Sequence, residues 1–101
     1  MDPDLPDLTI ADVVLSTAGH DAGKLFYVLE ADDTWLTLAN GKDRTLEKPK
    51  RKKCKHVSKV LRAETRVAAK ILAGDKVLNS ELRKDLALIR QAMKQSHNQG
   101  G

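Results

Sequence analysis

The chain has 101 residues, of which 41% are apolar and only 3% aromatic, so it can form one small domain with a core of Val, Leu, Ile and Ala. Its single cysteine, Cys54, excludes an intramolecular disulfide and favours a reducing compartment. No apolar run reaches the length of a membrane span, and the acidic start Asp2-Pro3-Asp4 is opposite in charge to a secretory signal. We therefore expect a cytoplasmic protein that does not contact membranes.

The charge of the chain is divided unevenly, although its formal net value is only +4. Residues 1–47 contain three basic and ten acidic side chains, giving −7, whereas residues 48–101 contain fifteen basic and four acidic side chains, giving +11. The densest basic stretch, residues 48–59, is called the basic segment below. Its density predicts contact with a polyanion rather than a merely solvated linker, and the acidic first half indicates that this contact is confined to one face.

The first half of the chain has the pattern of short β-strands, after a flexible lead-in over residues 1–8. The predicted strands cover residues 10–17, 24–31, 34–39 and 42–46, with a return to extended structure over 56–61. The second run is continuously apolar, which predicts burial on both sheet faces. Asn40-Gly41 suits a tight hairpin turn, and Pro49 places the basic segment outside the regular sheet. Such strands predict a small antiparallel sheet closed into a barrel.

The second half of the chain changes to helical periodicity. Residues 63–73 form a predicted amphipathic helix, and Gly74 supplies its C-terminal stop. Asn79 or Ser80 can cap a second helix, whose apolar positions recur every three to four residues. Those positions are Leu82, Leu86, Ile89 and Met93. The polar tail over residues 95–101 is predicted to be disordered.

The sequence lacks the residue patterns of catalytic and metal sites. The segment from Gly19 to Lys24 has one residue too few between its glycines for a nucleotide-binding phosphate loop, and Leu25 stands where a hydroxyl would bind Mg²⁺. Cys54 and His56 are two ligands where zinc requires about four. Cys54 is expected to be a small side chain among lysines, a setting that permits a lowered pKa of its thiol. We expect no enzymatic activity, no cofactor and no metal site.

Two stretches of the sequence resemble a KOW motif and its continuation. Val13 to Val28 contains an apolar strand, a G-x-x-x-G-K loop and a second apolar strand, and Asn40 to Val57 contains E-K-P-K-R-K-K-x-K-H. Together they resemble the archaeal and eukaryotic large-subunit ribosomal proteins of the fourteen-e type and their small bacterial relatives. The resemblance covers about half of the chain and implies an SH3-like five-stranded barrel that binds ribosomal RNA.

The resemblance and the helical periodicity together predict an α+β fold and its partner. The KOW barrel that the resemblance implies would occupy residues 9–61, and the helical pair indicated by periodicity would occupy residues 62–94. The expected partner is RNA, specifically ribosomal RNA or the large ribosomal subunit, contacted through phosphates. The expected RNA-binding residues are Lys24, Lys48, Lys50, Arg51, Lys52, Lys53, Lys55, His56 and Lys59.

Other interpretations of these features remain open. A protein-interaction adaptor is the alternative function, in which the barrel and second helix dock a partner and the basic segment steers an acidic one. Charge alone also permits DNA as the polyanion. Trp35 can stack on a base, but a lone Trp in an apolar strand more often belongs to the core or contacts a helix, which is the interpretation we favour. Gly41 is expected to be required by the turn rather than to contact a ligand. The sequence does not define the oligomeric state.

Overall fold

The computed structural model describes residues 8–99 as an α+β fold, which confirms the predicted class. A five-stranded antiparallel sheet is followed by two helices. The strands are β1 (Asp12–Ser16), β2 (Leu25–Ala31), β3 (Trp35–Ala39), β4 (Lys50–Lys53) and β5 (Val57–Arg62), and the helices are α1 (Arg66–Ala73) and α2 (Asn79–Gln99). Most of the predicted lead-in, residues 1–7, lies outside the described residues. Of the predicted disordered tail, residues 95–99 are described as the end of α2, and residues 100–101 lie outside the described residues.

The sheet is strongly curled, because its two edges are joined by a very short link. The strand order is β4-β3-β2-β1-β5, so β4 and β5 lie at opposite edges. Only the three-residue 3₁₀ turn Cys54–His56 connects them. In a flat sheet these edges would lie about 19 Å apart, at ~4.8 Å per strand, whereas the four residue steps from Lys53 to Val57 reach at most ~14 Å. No ladder joins β4 to β5 in the part of the chain that the structure describes, so the sheet is curled without being closed by hydrogen bonds.

The sheet buries apolar side chains on both faces. The inner cluster comes from the strands and the 3₁₀ turn, with Leu8 packed beside it, and no helix contributes to it. Its buried members are Val14, Phe26, Val28, Leu36, Leu38, Cys54 and Val57. The helices cover part of the outer face, where Val13 and Tyr27 of the sheet meet Ala68 of α1 and Leu82 of α2. β2 therefore contributes to both clusters, as its continuous apolar run predicted.

The two helices begin and end where the sequence chemistry allows. Thr65 caps α1 by accepting a hydrogen bond from the Ala68 N–H at 3.1 Å, and Gly74 ends it in the left-handed region at φ 74°. α2 begins at Asn79, but Asn79 does not act as its predicted cap, because its side-chain oxygen accepts a hydrogen bond from the Leu46 N–H at 2.8 Å. The start of α2 is thereby joined to the loop before β4. Glu81 in the first turn accepts a hydrogen bond from the Leu78 N–H at 3.0 Å instead.

Gly41 has a second role besides the turn that the sequence indicates. Its φ of 77° suits the loop after β3. A Cβ atom at this position would lie 2.2 Å from the backbone oxygen of Asn79, so any side chain would also collide with the first residue of α2. Gly41 is therefore required by helix packing as well as by backbone conformation.

The fourth strand was predicted wrongly. Residues 42–46 form bends rather than a strand, because the Asn40 side-chain oxygen accepts hydrogen bonds from the N–H groups of Lys42 and Arg44, both at 3.0 Å. Instead, β4 is built from Lys50–Lys53, and its Lys52 pairs with Leu36 of β3. The basic segment thus enters the sheet directly after Pro49.

Candidate nucleic-acid interface

Strand alternation divides the basic segment between two faces of the sheet. Lys50 and Lys52 of β4 lie opposite Leu38 and Leu36 of β3, both of which belong to the inner cluster. Because side chains alternate along a strand, Arg51 and Lys53 point to the opposite face. The four basic residues of β4 are therefore similar in sequence but lie in two different environments.

The inner lysines of β4 are neutralised by Asp21 in the loop between β1 and β2. Lys50 Nζ lies 2.7 Å from one carboxylate oxygen, and Lys52 Nζ lies 2.6 Å from the other. Lys52 also donates to the Ala18 carbonyl at 2.6 Å, and the Ser16 hydroxyl donates to Asp21 at 2.9 Å. Lys52 and Asp21 are only 6% and 5% exposed. These five residues, called the Asp21 cluster, connect edge strand β4 across the curl to the end of β1.

The Asp21 carboxylate remains ionised in this cluster. Its burial alone would raise its pKa, but hydrogen bonds from Lys50, Lys52 and Ser16 hold the pKa far below its ordinary value. A buried cation without a partner carries a large free-energy penalty, which explains why Lys52 requires this carboxylate.

Two further predicted RNA-binding lysines also lie in ion pairs. Lys59 of β5 lies 3.4 Å from the fully buried Asp12, which also meets Arg62 at 3.5 Å. Lys24 lies 2.9 Å from Asp43. The acidic first half of the chain thus neutralises part of the basic segment internally.

Four of the nine predicted residues are not paired with a carboxylate of the described part of the chain, and of these Lys48, Arg51 and Lys55 are exposed while Lys53 is half-buried. We call Lys48, Arg51, Lys53 and Lys55 the exposed basic edge, because they lie along or beside edge strand β4. Within the residues whose side chains are described, none of the four is in an ion pair with a carboxylate. The ninth residue, His56, is half-buried, and its carbonyl accepts a hydrogen bond from Thr17 at 2.9 Å.

Trp35 lies on the surface beside this edge, so the prediction that it belongs to the core is wrong. Its neighbours Leu36 and Leu38 fill the inner cluster, whereas the Trp35 residue is 36% exposed. The guanidinium carbon of Arg51 lies 5.1 Å from the centre of the indole ring, and Lys53 Nζ lies 5.5 Å from it. Both distances fall within the range of a cation–π interaction. The alternation of β3 was the sequence signal, because it places Trp35 on the face opposite the two leucines.

A polar depression of about 520 Å³ adjoins the indole ring. Its lining residues are Glu30, Ala31, Asp32, Trp35, Thr37 and Arg51. The Asp32 carboxylate accepts hydrogen bonds from the N–H groups of Trp35 at 2.7 Å and Thr34 at 2.9 Å. These bonds, with the nearby charge of Arg51, lower the Asp32 pKa. The depression thus presents an aromatic face, a cation and carboxylates within one small volume.

Cys54 does not have the reactive environment that its lysine neighbours suggest. The thiol is free and buried in the inner cluster. Burial raises its pKa, and the negative charge of Asp32 raises it further, so the lowered value that the lysines permit is not found. Among residues 8–95, whose side chains the structure describes, no group of three or more His, Cys, Asp or Glu side chains is placed to hold a metal ion.

Lys24 lies in a separate cleft of about 330 Å³ between α2 and the loops that follow β1 and β3. Two arginines of α2 hold these loops. Arg83 donates to the Gly41 carbonyl at 2.6 Å, and Arg90 donates to the Gly23 carbonyl at 2.5 Å. The sequence gives no signal for these contacts, because a basic helical face looks the same whether it is solvated or bound to a loop.

Comparison with known proteins leaves the expected family untested. No model of a protein family matches the chain, and no significantly similar sequence is found among curated proteins. Among the described residues, neither helix combines the length and apolar character needed to cross a lipid bilayer. The exposed basic edge and Trp35 are therefore the features that point to a function.

Proposed function

We propose that this protein is a non-enzymatic, cytoplasmic RNA-binding protein that associates with the large ribosomal subunit and contacts ribosomal RNA through the exposed basic edge. The observation that carries the proposal is the division of charge on β4. Asp21 neutralises Lys50 and Lys52, while the outward cations remain beside an exposed indole. A surface that concentrates unneutralised cations around an aromatic ring is typical of nucleic-acid binding.

In this proposal the curled sheet is an SH3-like barrel of the KOW type, closed by side chains rather than by a β4–β5 ladder. Three features support that assignment. The first four strands follow one another across the sheet and β5 returns to pair with β1. The link Cys54–His56 is too short for a flat sheet, and the Asp21 cluster spans the gap beside β4. The residues that resemble the KOW motif coincide with β1, β2 and the loop between them.

The expected binding energy comes largely from the release of counterions. If each of the four cations of the exposed basic edge neutralises one phosphate, the slope of log K against log salt is about −2.8 to −3.6. If all nine predicted RNA-binding residues contacted phosphates, the slope would be steeper. The measured slope therefore distinguishes binding through the exposed basic edge from binding through all nine residues. Selectivity would come from the shape of a folded RNA, since phosphate contacts carry no sequence information.

The test compares two variants that lose the same charge. In the first, the exposed basic edge is changed to Gln at Lys48, Arg51, Lys53 and Lys55. In the matched control, one Arg and three Lys elsewhere are changed to Gln. The control positions are Arg66, Lys76, Lys84 and Lys94, all exposed. Affinity for ribosomal RNA fragments and its salt slope are measured by fluorescence anisotropy.

We expect the first variant to lose nearly all binding and salt dependence and the control to retain most of both. Equal losses of affinity in the two variants would show that binding depends on net charge rather than on the exposed basic edge. Duplex DNA that competes as well as structured RNA would identify DNA as the partner. Cosedimentation with ribosomal subunits that survives nuclease digestion and a high-salt wash would favour the protein-interaction adaptor.

A further inference from the structure

We propose that the depression beside Trp35 binds a single unpaired nucleobase that carries an exocyclic amino group. This inference rests on the proposed RNA-binding function, and it names the part of the RNA that this surface recognises. The base would stack on the indole of Trp35 while its amino edge meets the carboxylates of Glu30 and Asp32. The phosphates on either side would contact Arg51 and Lys53.

The position of the indole is fixed before any ligand arrives. Trp35 pairs directly with Lys53 across β3 and β4, and its backbone is held by Asp32 on both sides. The Trp35 N–H donates to the Asp32 carboxylate at 2.7 Å, and the Asp32 N–H donates to the Trp35 carbonyl at 3.0 Å. Arg51 and Lys53 hold the ring from the neighbouring strand. A preorganised ring loses little conformational entropy when a base stacks on it.

An exposed Trp is not by itself a binding site, since single apolar side chains on a surface are common. Trp35 differs from the other exposed apolar residues in its surroundings. Leu88, for example, is more exposed at 58%, but it lies on the solvent side of α2 and lines none of the clefts described above. Trp35 combines two cations with a depression of about 520 Å³, a volume within the ~300–1,000 Å³ range of ligand sites.

The charges around the depression determine which part of a nucleotide can enter. Carboxylates repel phosphate but accept hydrogen bonds from amino groups, as in the recognition of the cytosine amine by Asp and Glu. Glu30 and Asp32 therefore admit a base edge and exclude the backbone. Arg51 lines the depression beside these carboxylates, and Lys53 lies beside the indole from the neighbouring strand, so both cations can take the phosphates that flank the base. The depression thus orients a nucleotide rather than merely attracting an anion.

A paired base cannot use this site. In a helix its amino group is engaged by the opposite base, and neighbouring bases cover both of its faces. The structure accordingly favours a bulge, loop or single-stranded end, whose base is free to stack. Cytosine and uracil provide the sharpest comparison, because they have the same ring size and differ in the amino group.

The experiment uses the full chain and three labelled RNA stem-loops that are identical except for one loop nucleotide. That nucleotide is cytidine, uridine or an abasic ribose. Loss of one stacked base weakens RNA binding by about 5- to 150-fold, so the abasic stem-loop should bind more weakly than the cytidine stem-loop by this factor. The uridine stem-loop should bind about 5-fold or more weakly than the cytidine one, because its carbonyl faces carboxylates.

The chain offers a direct optical signal, since Trp35 is its only tryptophan. Its fluorescence should be quenched by the cytidine stem-loop and not by the abasic one. Replacement Trp35→Thr should reduce cytidine binding to the abasic level, Trp35→Phe should restore part of it, and Leu88→Ala should leave it unchanged. If Trp35→Thr does not fold, the abasic comparison and the quenching of the unmodified protein decide the matter.

Failure of this inference is distinguishable from failure of the proposed function. If all three stem-loops bind equally tightly with a steep salt slope, the protein binds RNA through phosphates and the nucleobase site is refuted. Equal binding of cytidine and uridine, with weaker abasic binding, would refute the role of Glu30 and Asp32. If none of the stem-loops or ribosomal RNA fragments binds, both proposals are overturned.

Discussion

Replacement Asp21→Asn distinguishes a structural role of the inner lysines from an RNA-binding one. The change keeps the size of the side chain but removes the charge that faces Lys50 and Lys52 at 2.7 and 2.6 Å. Lys50 is partly exposed and can turn toward water, whereas the Lys52 side chain is only 7% exposed and cannot. The neutral amide would therefore leave one buried ammonium group without a counterion.

The expected cost is a large fraction of the stability of a small domain. Removing one partner of a buried ion pair costs about 3–5 kcal/mol, and partial relaxation of Lys50 places Asp21→Asn near ~3 kcal/mol. Domains of this size are stable by ~5–15 kcal/mol, and each kcal/mol shifts the melting temperature by ~4–8 °C. We therefore expect the midpoint of thermal unfolding to fall by roughly 12–24 °C.

The pH dependence of unfolding gives an independent measurement. Because the pKa of Asp21 is lower in the folded than in the unfolded protein, its contribution is complete above the ordinary value of 3.8 and is lost as the pH falls below it. Urea unfolding of the unmodified protein between pH 6 and pH 2 should show this loss, and Asp21→Asn should reduce it. A cost below ~1 kcal/mol, which is typical of exposed ion pairs, would refute the structural role of the cluster.

Three further predictions concern other parts of the fold. Gly41→Ala should destabilise the protein by several kcal/mol more than Gly23→Ala in chemical unfolding, because both glycines have positive φ but only at Gly41 would a Cβ atom collide with α2; equal costs would contradict the close approach. Burial and a hydrogen bond to Asp85 raise the pKa of Tyr27, the only tyrosine of the chain. The absorbance change that reports deprotonation of Tyr27 at high pH should therefore accompany unfolding, and deprotonation near pH 10 in the folded protein would contradict this. Cys54 should react with a thiol reagent at the rate of unfolding, and rapid labelling of the native protein would show an open inner cluster.

The apolar strands and the helices could be predicted from sequence because burial imposes a pattern on them. β2 is apolar without interruption and lies between two clusters, and Gly74 ends α1 in the conformation that glycine favours. β4 was not predicted as a strand, because all four of its residues are basic. Its place in the sheet depends on its pairing with β3 and on Asp21, and neither leaves a periodic apolar signal.

The candidate site could be predicted only in part, for the same physical reason. Charge density located the basic segment, but counting charges cannot reveal which of them meet a carboxylate about thirty residues away. Lys52 and Arg51 are adjacent in sequence, yet one is buried against Asp21 and the other borders the indole of Trp35. Strand alternation separates them once β4 is known to be a strand. The alternation of β3 alone predicts that Trp35 is exposed. The general preference of Trp for buried positions led to the opposite prediction.

The pairing of β1 with β5 has a consequence for the order in which the chain can fold. Asp12 of β1 lies opposite Arg62 of β5, so residues about fifty positions apart must meet before the sheet is complete. During synthesis, β1 to β4 emerge as a meander of neighbouring strands, but the outer edge of β1 has no partner until residue 62 has left the ribosome. Until then Asp12 has neither Lys59 nor Arg62 beside it. Pairing over such a sequence distance is slow compared with hairpin formation, which makes the return of β5 the step that commits the domain to its native sheet.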